Sequence, residues 1–252
     1  MINQRLDGKV AVVTGSSKGL GKEMAIALAE AGATVALVAR SRELLEGVRA
    51  EIARRGGKAY AFPGDVSSEA DVTSVAGEIR RQAGVPDILV NNAGVNLRKP
   101  LHEFTLEEWR GVMSTNIDGP FLCTRALVPG MIEKKFGRII NVASTMAHVS
   151  LPHRAAYSAS KFAVLGMTKA LALELAPYNI TANAISPGPF ATEINRALLE
   201  DPVQMAAFNA KIPVGRWGKL EEIGALVVFL SSEASAFITG TDVVIDGGWT
   251  AQ

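Results

Sequence analysis

The fold is decided by Val10-Ala11-Val12-Val13-Thr14-Gly15-Ser16-Ser17-Lys18-Gly19-Leu20-Gly21. Residues 10–14 are apolar on both faces of an extended chain, as a strand buried on both sides must be. Three glycines follow in the spacing Gly15-x-x-x-Gly19-x-Gly21. Leu20, Met24, Leu28 and Ala31 then recur at helical intervals until Gly32. Small residues between a strand and a helix let backbone approach a pyrophosphate, and the free N–H groups of the helix start favour an anion there. Taken alone, the same spacing also describes a tight strand-to-helix turn.

Outward from this stretch the chain keeps alternating. Residues 34–39 read as a buried strand, 42–55 as a helix carrying Leu44, Leu45, Val48 and Ile52, and 58–62 as a strand. Asp65 and Val66 lead into a helix near Ser68, where Ser68 and Asp71 have the spacing of a capping box. Residues 88–90 form a strand that runs into Asn91-Asn92-Ala93-Gly94. Thr105 and Glu108 mark a second capping box. A long helix is expected from about 117 to 134, with Pro129 as the place for a bend. Further strands are expected at 138–142, 181–185 and 242–245, and further helices at 155–176 and 220–230. Residues 190–215 read as irregular or short-helical.

This order predicts an α/β fold, one domain over 1–252, built on a doubly wound parallel sheet of about seven strands with helices on both faces. In such sheets ligands bind at the carboxyl ends of the strands. Gly15, Arg40, Asp65, Asn91, Ser144 and Pro187 each follow a predicted strand.

Composition narrows the function. The 252 residues are 48% hydrophobic, with a formal net charge of +1, so no electrostatic case exists for nucleic acid or an acidic membrane. The single cysteine, Cys123, has no internal partner, and no Cys/His cluster has metal-ligand spacing, so no metal is expected. The start lacks the apolar core of a secretion signal, and the apolar run at 223–230 is far too short to span a bilayer. A cytoplasmic protein acting on a small molecule is expected, and Cys123 should lie buried and inert in its helix.

The chemistry-bearing stretch is Tyr157-Ser158-Ala159-Ser160-Lys161, with Ser144 upstream. On a helix, Tyr157 and Lys161 share a face one turn apart. A free phenol, with a pKa of about 10, is a poor acid-base group at neutral pH. An ammonium held nearby favours the phenolate. Such a pair can protonate a carbonyl oxygen or deprotonate an alcohol.

Thr14-Gly15-x-x-x-Gly19-x-Gly21, Asn91-Asn92-Ala93-Gly94, Asn116, Ser144, Tyr157-x-x-x-Lys161 and Pro187-Gly188-x-x-x-Thr192 stand in the order found in short-chain dehydrogenases/reductases. Over essentially its whole length the chain resembles that family, and within it the branch holding gluconate 5-dehydrogenases and 3-oxoacyl-(acyl-carrier-protein) reductases. The resemblance implies a Rossmann-like fold, a nicotinamide cofactor and a homotetramer built on the two long helices and on the C-terminal helix and strand. It implies that Tyr157 is the general acid/base, that Lys161 holds the nicotinamide ribose and lowers the tyrosine pKa, and that Ser144 binds the reacting oxygen. Asn116 would help hold a water that extends a proton relay from Lys161. The cofactor would lie along Gly15, Ser17, Lys18, Gly19, Leu20 and Gly21. Asp65, with Val66 beside it, would cap the adenine. Asn91, Asn92, Ala93 and Gly94 would line the site, Pro187 and Gly188 would close it, and Thr192 would contact the carboxamide.

Two details sharpen the expectation. NAD-preferring sites place an acid at the end of the second strand, where it binds the adenine-ribose hydroxyls. Here that position is Ala39, followed by Arg40 and Ser41, with Lys18 on the same side, which favours NADP. Arg98, His148 and Arg154 are basic groups close in sequence to Ser144 and Tyr157, and they suit a carboxylate or polyol substrate such as a keto-sugar acid. The substrate wall is expected at 189–215. A short 3-oxoacyl thioester is the other substrate reading. A non-catalytic dinucleotide sensor is the other class, but a sensor has no need for Asn116, Ser144, Tyr157 and Lys161 together.

Overall fold

The computed structural model of the chain describes residues 4–192, 205–206 and 209–251. Seven strands form one sheet: β1 Val10–Thr14, β2 Thr34–Ala39, β3 Lys58–Pro63, β4 Ile88–Asn91, β5 Gly137–Val142, β6 Ile180–Pro187 and β7 Asp242–Ile245. Their order is β3-β2-β1-β4-β5-β6-β7, and every pairing is parallel. Parallel neighbours need crossovers, supplied by α1 Gly19–Glu30, α2 Arg42–Arg54, α3 Glu69–Gln82, α4 Leu106–Met113, α5 Gly119–Lys134, α6 Ala155–Leu175 and α7 Leu220–Ser231.

Alternation along the strands feeds two cores. Ala11, Val13, Val35 and Leu37 pack with α1, α2 and α7 on one face. Val12, Ala36 and Val38 face the opposite way and pack with residues of α3, α5 and α6. The doubly wound sheet expected from the sequence is therefore present. Chain order reverses between β1 and β4, which opens a crevice at their carboxyl ends.

The apolar stretch at 223–230 belongs to this core. Ile223, Val227 and Leu230 are buried, and Gly224 lets α7 approach Ala27 of α1 closely. One side of the stretch is thus core, as expected, while Ala225 is exposed and Leu226, Val228 and Phe229 are only partly buried. Cys123 is buried in α5, and burial pushes its thiol up to about 12. Among the described residues no helix is long and apolar enough to cross a membrane.

The expected long helix begins earlier than the sequence suggested. A full capping box, Glu108 N–H to Thr105 Oγ1 at 3.1 Å and Thr105 N–H to Glu108 Oε2 at 2.8 Å, starts α4 at Leu106. Helical backbone then continues through a π turn at Ser114–Asp118 into α5. Gly119 N–H reaches Ser114 O, one residue further than in an α-helix. Pro120 has no N–H to give the carbonyl four residues back, that of Asn116. Asn116 thus sits in an irregular turn inside one helical run, where wide turns concentrate at functional sites.

The Ser68–Asp71 box forms only in half. Asp71 N–H bonds Ser68 Oγ at 3.2 Å, but the Asp71 carboxylate accepts from Asp65 N–H at 2.9 Å instead of from the Ser68 backbone. That bond, with help from the Ser68 hydroxyl, holds the Asp71 carboxyl below its ordinary value.

Candidate functional site

Gly15 and Gly19 both have positive φ, 65° and 57°. A Cβ on Gly15 would stand 2.8 Å from Ala93 Cα, and one on Gly21 would stand 2.4 Å from Gly15 O. These glycines allow the loop to fold tightly upon itself. Gly19 differs: its added Cβ would meet only the Thr192 methyl, at 3.9 Å, so Thr192 leans over the loop from the end of β6. Lys18 is the N-cap of α1 and offers no capping bond, and the first turn holds no acid. The first N–H groups of α1, around Gly19, Leu20 and Gly21, thus suit an external anion such as a diphosphate. Ser17 and Lys18 flank them, and Lys18 is exposed.

Asn92 and Ala93 anchor this loop. Asn92 Nδ2 donates to Thr14 O at 2.9 Å and to Gly15 O at 3.2 Å. The N–H groups of Asn92 and Ala93 both donate to Thr14 Oγ1. Their side of the site is therefore shaped by strand-to-loop bonding. Asn91 points elsewhere: it is buried and donates to Asn141 Oδ1 at 2.9 Å and Thr124 Oγ1 at 3.2 Å, so it ties the sheet to α5 and leaves the crevice wall to its neighbours. Val66 is largely buried against Gly119.

At the end of β2, Arg40 is exposed, and neither it nor Lys18 pairs with an acid among the described residues. Ser41 is committed as N-cap of α2, its Oγ accepting from Leu44 N–H at 3.3 Å, which leaves its hydroxyl proton to donate. Asp65 accepts from the N–H and hydroxyl of Ser67 through Oδ1, and its other oxygen remains for a donor.

The chemical centre lies at the carboxyl end of β5. Lys161, on α6, is buried and donates to Val142 O at 2.7 Å. Burial lowers its pKa to about 8. Its Nζ stands 5.6 Å from the centre of the Tyr157 ring, on the shared helix face. Ser144 follows β5, is largely buried, and takes Met146 N–H at 3.1 Å, which orients its hydroxyl. The expectation of a Tyr157 held down by Lys161 is not what the isolated chain shows. Burial raises the Tyr157 phenol above its ordinary value, and the Ser144 hydroxyl and the Arg154 charge pull it back only in part. The Lys161 ammonium is turned to the Val142 carbonyl.

Asn116 is buried and its side chain is spent on structure. Nδ2 donates to Val95 O at 3.0 Å and Ser160 Oγ at 2.9 Å, and Oδ1 accepts from Val95 N–H at 2.8 Å. Ser160 Oγ in turn donates to Tyr157 O at 2.7 Å. The π turn, the segment after Gly94 and the first turn of α6 are thereby locked together. Gly94 sits inside this bracket, where a Cβ would come within 3.3 Å of Asn116 Oδ1 and 3.7 Å of Lys161 Nζ. Pro187 and Gly188 close the other side. A Cβ on Gly188 would collide with Asp246 at 2.6 Å, and Pro187 O accepts from Thr145 Oγ1 at 3.4 Å.

Of the three basic residues expected near the substrate, two converge. Arg154 precedes α6 and is half-buried. Burial lowers its pKa, the like charge of Arg98 lowers it further, and Tyr157 opposes both. Arg98 is brought alongside because Lys99 N–H bonds His153 O at 3.2 Å, with His153 in the left-handed region at φ 65°. Neither guanidinium pairs with an acid among the described residues. His148 does not join them: its Nε2 lies 2.5 Å from Asp242 Oδ2 on β7. Sequence reading passed over Thr14 Oγ1, Ser160 and Val95, which build the site through hydrogen bonds that span the chain and leave no local pattern. Of the expected substrate wall at 189–215, residues 193–204 and 207–208 lie outside the described residues. Among the described residues no group of His, Cys, Asp or Glu is placed to hold a metal ion.

Residues 15–250 match the family model described as enoyl-(acyl carrier protein) reductase. Over 248 residues the chain is 40% identical to the D-threitol dehydrogenase of Mycolicibacterium smegmatis, covering 98% of this chain and 95% of that protein. It is 38% identical over 245 residues to the 3-oxoacyl-(acyl-carrier-protein) reductase of Aquifex aeolicus, covering 97% and 98%. A crystal structure of a gluconate 5-dehydrogenase from Burkholderia cenocepacia in complex with NADP and tartrate superposes with a TM-score of 0.94 at 38% identity, covering 99% of this chain and 98% of that one. The chain belongs to the short-chain dehydrogenase/reductase family, whose oxidoreductases act on alcohol and ketone groups.

Proposed function

We propose that this protein interconverts a ketone and a secondary alcohol with NADP, on an acidic substrate such as a keto-sugar acid. The observation that carries the substrate class is the pair Arg98 and Arg154. Arg154 stands half-buried beside the Tyr157 phenol, and the like charge of Arg98 stands beside Arg154, with no carboxylate among the described residues to neutralise them. A carboxylate on the substrate relieves that repulsion and accepts charge-assisted hydrogen bonds.

The uncapped helix start and the close-packed glycines support a diphosphate site on this loop. Arg40 and Lys18 suit a 2′-phosphate. When bound, the nicotinamide gives or takes the hydride. Tyr157, held protonated by burial, donates its proton to the ketone oxygen, and in the reverse direction it accepts the alcohol proton. Ser144 hydrogen-bonds the same oxygen. Lys161, fixed through Val142, would hold the nicotinamide ribose with its remaining protons. The Asn116 carbonyl, left without a Pro120 donor, would hold a water at the inner end of the relay. We also propose residues 189–215 as the substrate wall, a cytoplasmic setting, and a homotetramer. Phe121 and Phe162, each about half exposed on α5 and α6, and Leu173, 80% exposed, give that assembly an apolar seam.

A 3-oxoacyl thioester is the second reading, favoured by the exposed apolar side chains of Leu97 and Leu151 near the two cations. The deciding experiment follows NADPH consumption with keto-sugar acids, short 3-oxoacyl thioesters and uncharged ketones. Arg98→Ala should raise KM for the keto acid by about tenfold or more, the scale of one charge-assisted hydrogen bond, and leave an uncharged ketone nearly unaffected. Arg154→Ala should do the same to KM and also slow both substrates through the Tyr157 phenol, whose pKa its charge helps to lower. Equal KM effects on both substrates would remove the acidic-substrate reading, and silence on every ketone with cofactor bound would favour a sensor.

A further inference from the structure

Asp242 is the first residue of β7, and one of its oxygens gathers two distant parts of the chain. Oδ2 accepts from Ser186 Oγ at 2.8 Å and meets His148 Nε2 at 2.5 Å. Its other oxygen, Oδ1, is buried without a partner, so these two contacts carry the carboxylate. Ser186 directly precedes Pro187 and Gly188 on β6. His148 ends the short 3-10 turn Thr145–Ala147, whose first cap is Ser144.

The bonds inside that turn are local. Ala147 N–H reaches Ser144 O at 2.8 Å, and His148 N–H reaches Thr145 O at 3.0 Å. They set the shape of the turn but not its place against the sheet. The backbone just before it is tied to β6 by Ala143 N–H on Ile185 O at 2.8 Å, and the side-chain ties that hold the turn itself are Thr145 Oγ1 on Pro187 O at 3.4 Å, a long bond, and His148 on Asp242. Both ties end on the same two strands, β6 and β7, close to Pro187. A hydrogen bond to a charged group is the stronger of the two.

We propose that His148 and Asp242 are positioning residues that clamp the Ser144 turn to the end of β6, so that the Ser144 hydroxyl and the segment beginning at Pro187 keep one fixed separation. This rests on the role proposed for Ser144. A catalytic hydroxyl displaced by about 1 Å can cost on the order of a hundredfold in rate. The clamp therefore acts on turnover and far less on cofactor affinity, which the glycine loop supplies.

The test uses the full chain with His148→Ala, His148→Gln and Asp242→Asn, measuring kcat, ketone KM, NADPH affinity and amide hydrogen exchange. His148→Ala should lower kcat about tenfold or more, leave NADPH affinity nearly unchanged, and speed exchange at both 145–149 and 188–192. His148→Gln, which keeps a side-chain N–H donor, should recover much of the rate, and Asp242→Asn should add little to His148→Ala in the double variant. Unchanged kcat in His148→Ala would overturn the proposal. So would faster exchange at 145–149 alone, whether or not any ketone is turned over. Absence of turnover in the unmodified protein would instead count against the proposed function, and the exchange pattern still decides the clamp.

Discussion

The Lys161 ammonium donates to the Val142 carbonyl at 2.7 Å, so the helix that carries Tyr157 is pinned to the last residue of β5 by a buried cation. Burial lowers the Lys161 pKa from 10.5 to about 8. Above pH 10.5 the lysine is neutral in both folded and unfolded chains, and below 8 it is charged in both, with the folded chain bearing the full cost of burying that charge. Between those limits the unfolded chain binds more protons, so stability rises with pH. The total is on the order of 3 kcal/mol. Lys161→Met should flatten this rise. Urea unfolding of both proteins at pH 7.5 and at about pH 10 checks it: a stability difference that does not change between the two would contradict the burial argument.

Tyr157→Phe removes the proton carrier and keeps the ring. Turnover should fall by roughly a hundred- to ten-thousandfold, the range of general acid-base catalysis. NADPH affinity should hold, because the glycine loop and Arg40 are untouched. Steady-state kinetics with a parallel fluorescence titration of cofactor separates the two, and near-normal turnover would mean that another group moves the proton.

Gly21→Ala tests the packing of the loop. The new methyl would meet Asn92 Nδ2 at 2.3 Å and Gly15 O at 2.4 Å, and the second of these is backbone. Overpacking of this kind costs about 1–3 kcal/mol. It also displaces the N–H groups offered to the diphosphate, so cofactor affinity should fall together with melting temperature. Gly47→Ala, whose added Cβ meets nothing on the exposed side of α2, is the control: cofactor affinity should stay unchanged and the melting temperature should rise slightly, because alanine favours a helix interior over glycine.

What the sequence revealed and what it hid divide by range. β1, β2 and β7 end where their patterns end, and the Thr105–Glu108 box forms in full, because each is set by neighbours within a few residues. Tyr157 and Lys161 share a face by helix periodicity alone. The π turn was hidden because Pro120 is equally at home in the first turn of a new helix. The direction of His148 was hidden because Asp242, 94 residues later, decides it. The all-apolar stretch at 223–230 suggested a subunit seam. Its Ile223, Val227 and Leu230 face is core because α1 covers it, a fact that belongs to topology. The Tyr157 phenol departs from expectation because burial depends on the whole fold, whereas helix spacing supplies only the neighbouring ammonium.

Cofactor choice gives the last prediction. The position that in NAD enzymes holds an acid is Ala39, at the end of β2, and the residues around it are cationic. Arg40 is exposed and Lys18 sits at the uncapped start of α1, each without an acidic partner among the described residues. A 2′-phosphate would satisfy both. One charge-assisted hydrogen bond contributes about 1.5–3 kcal/mol, which is about ten- to a hundredfold in affinity. Arg40→Leu should therefore weaken NADPH by about that factor and leave NADH nearly unchanged. Adding Ala39→Asp places a carboxylate where it accepts from ribose hydroxyls and repels phosphate, so the double variant should prefer NADH. Ser41, already capping α2, can donate its hydroxyl proton but cannot replace the lost charge. The measurement is the ratio of kcat/KM for NADPH and NADH on a single ketone, in the unmodified protein and in both variants. Because the phosphate contact is charge-based, raising the salt concentration should lower the NADPH preference of the unmodified protein and, by screening the repulsion from the new carboxylate, also weaken the NADH preference of the double variant. An unmodified protein that prefers NADH would show that Arg40 and Lys18 are ordinary surface cations.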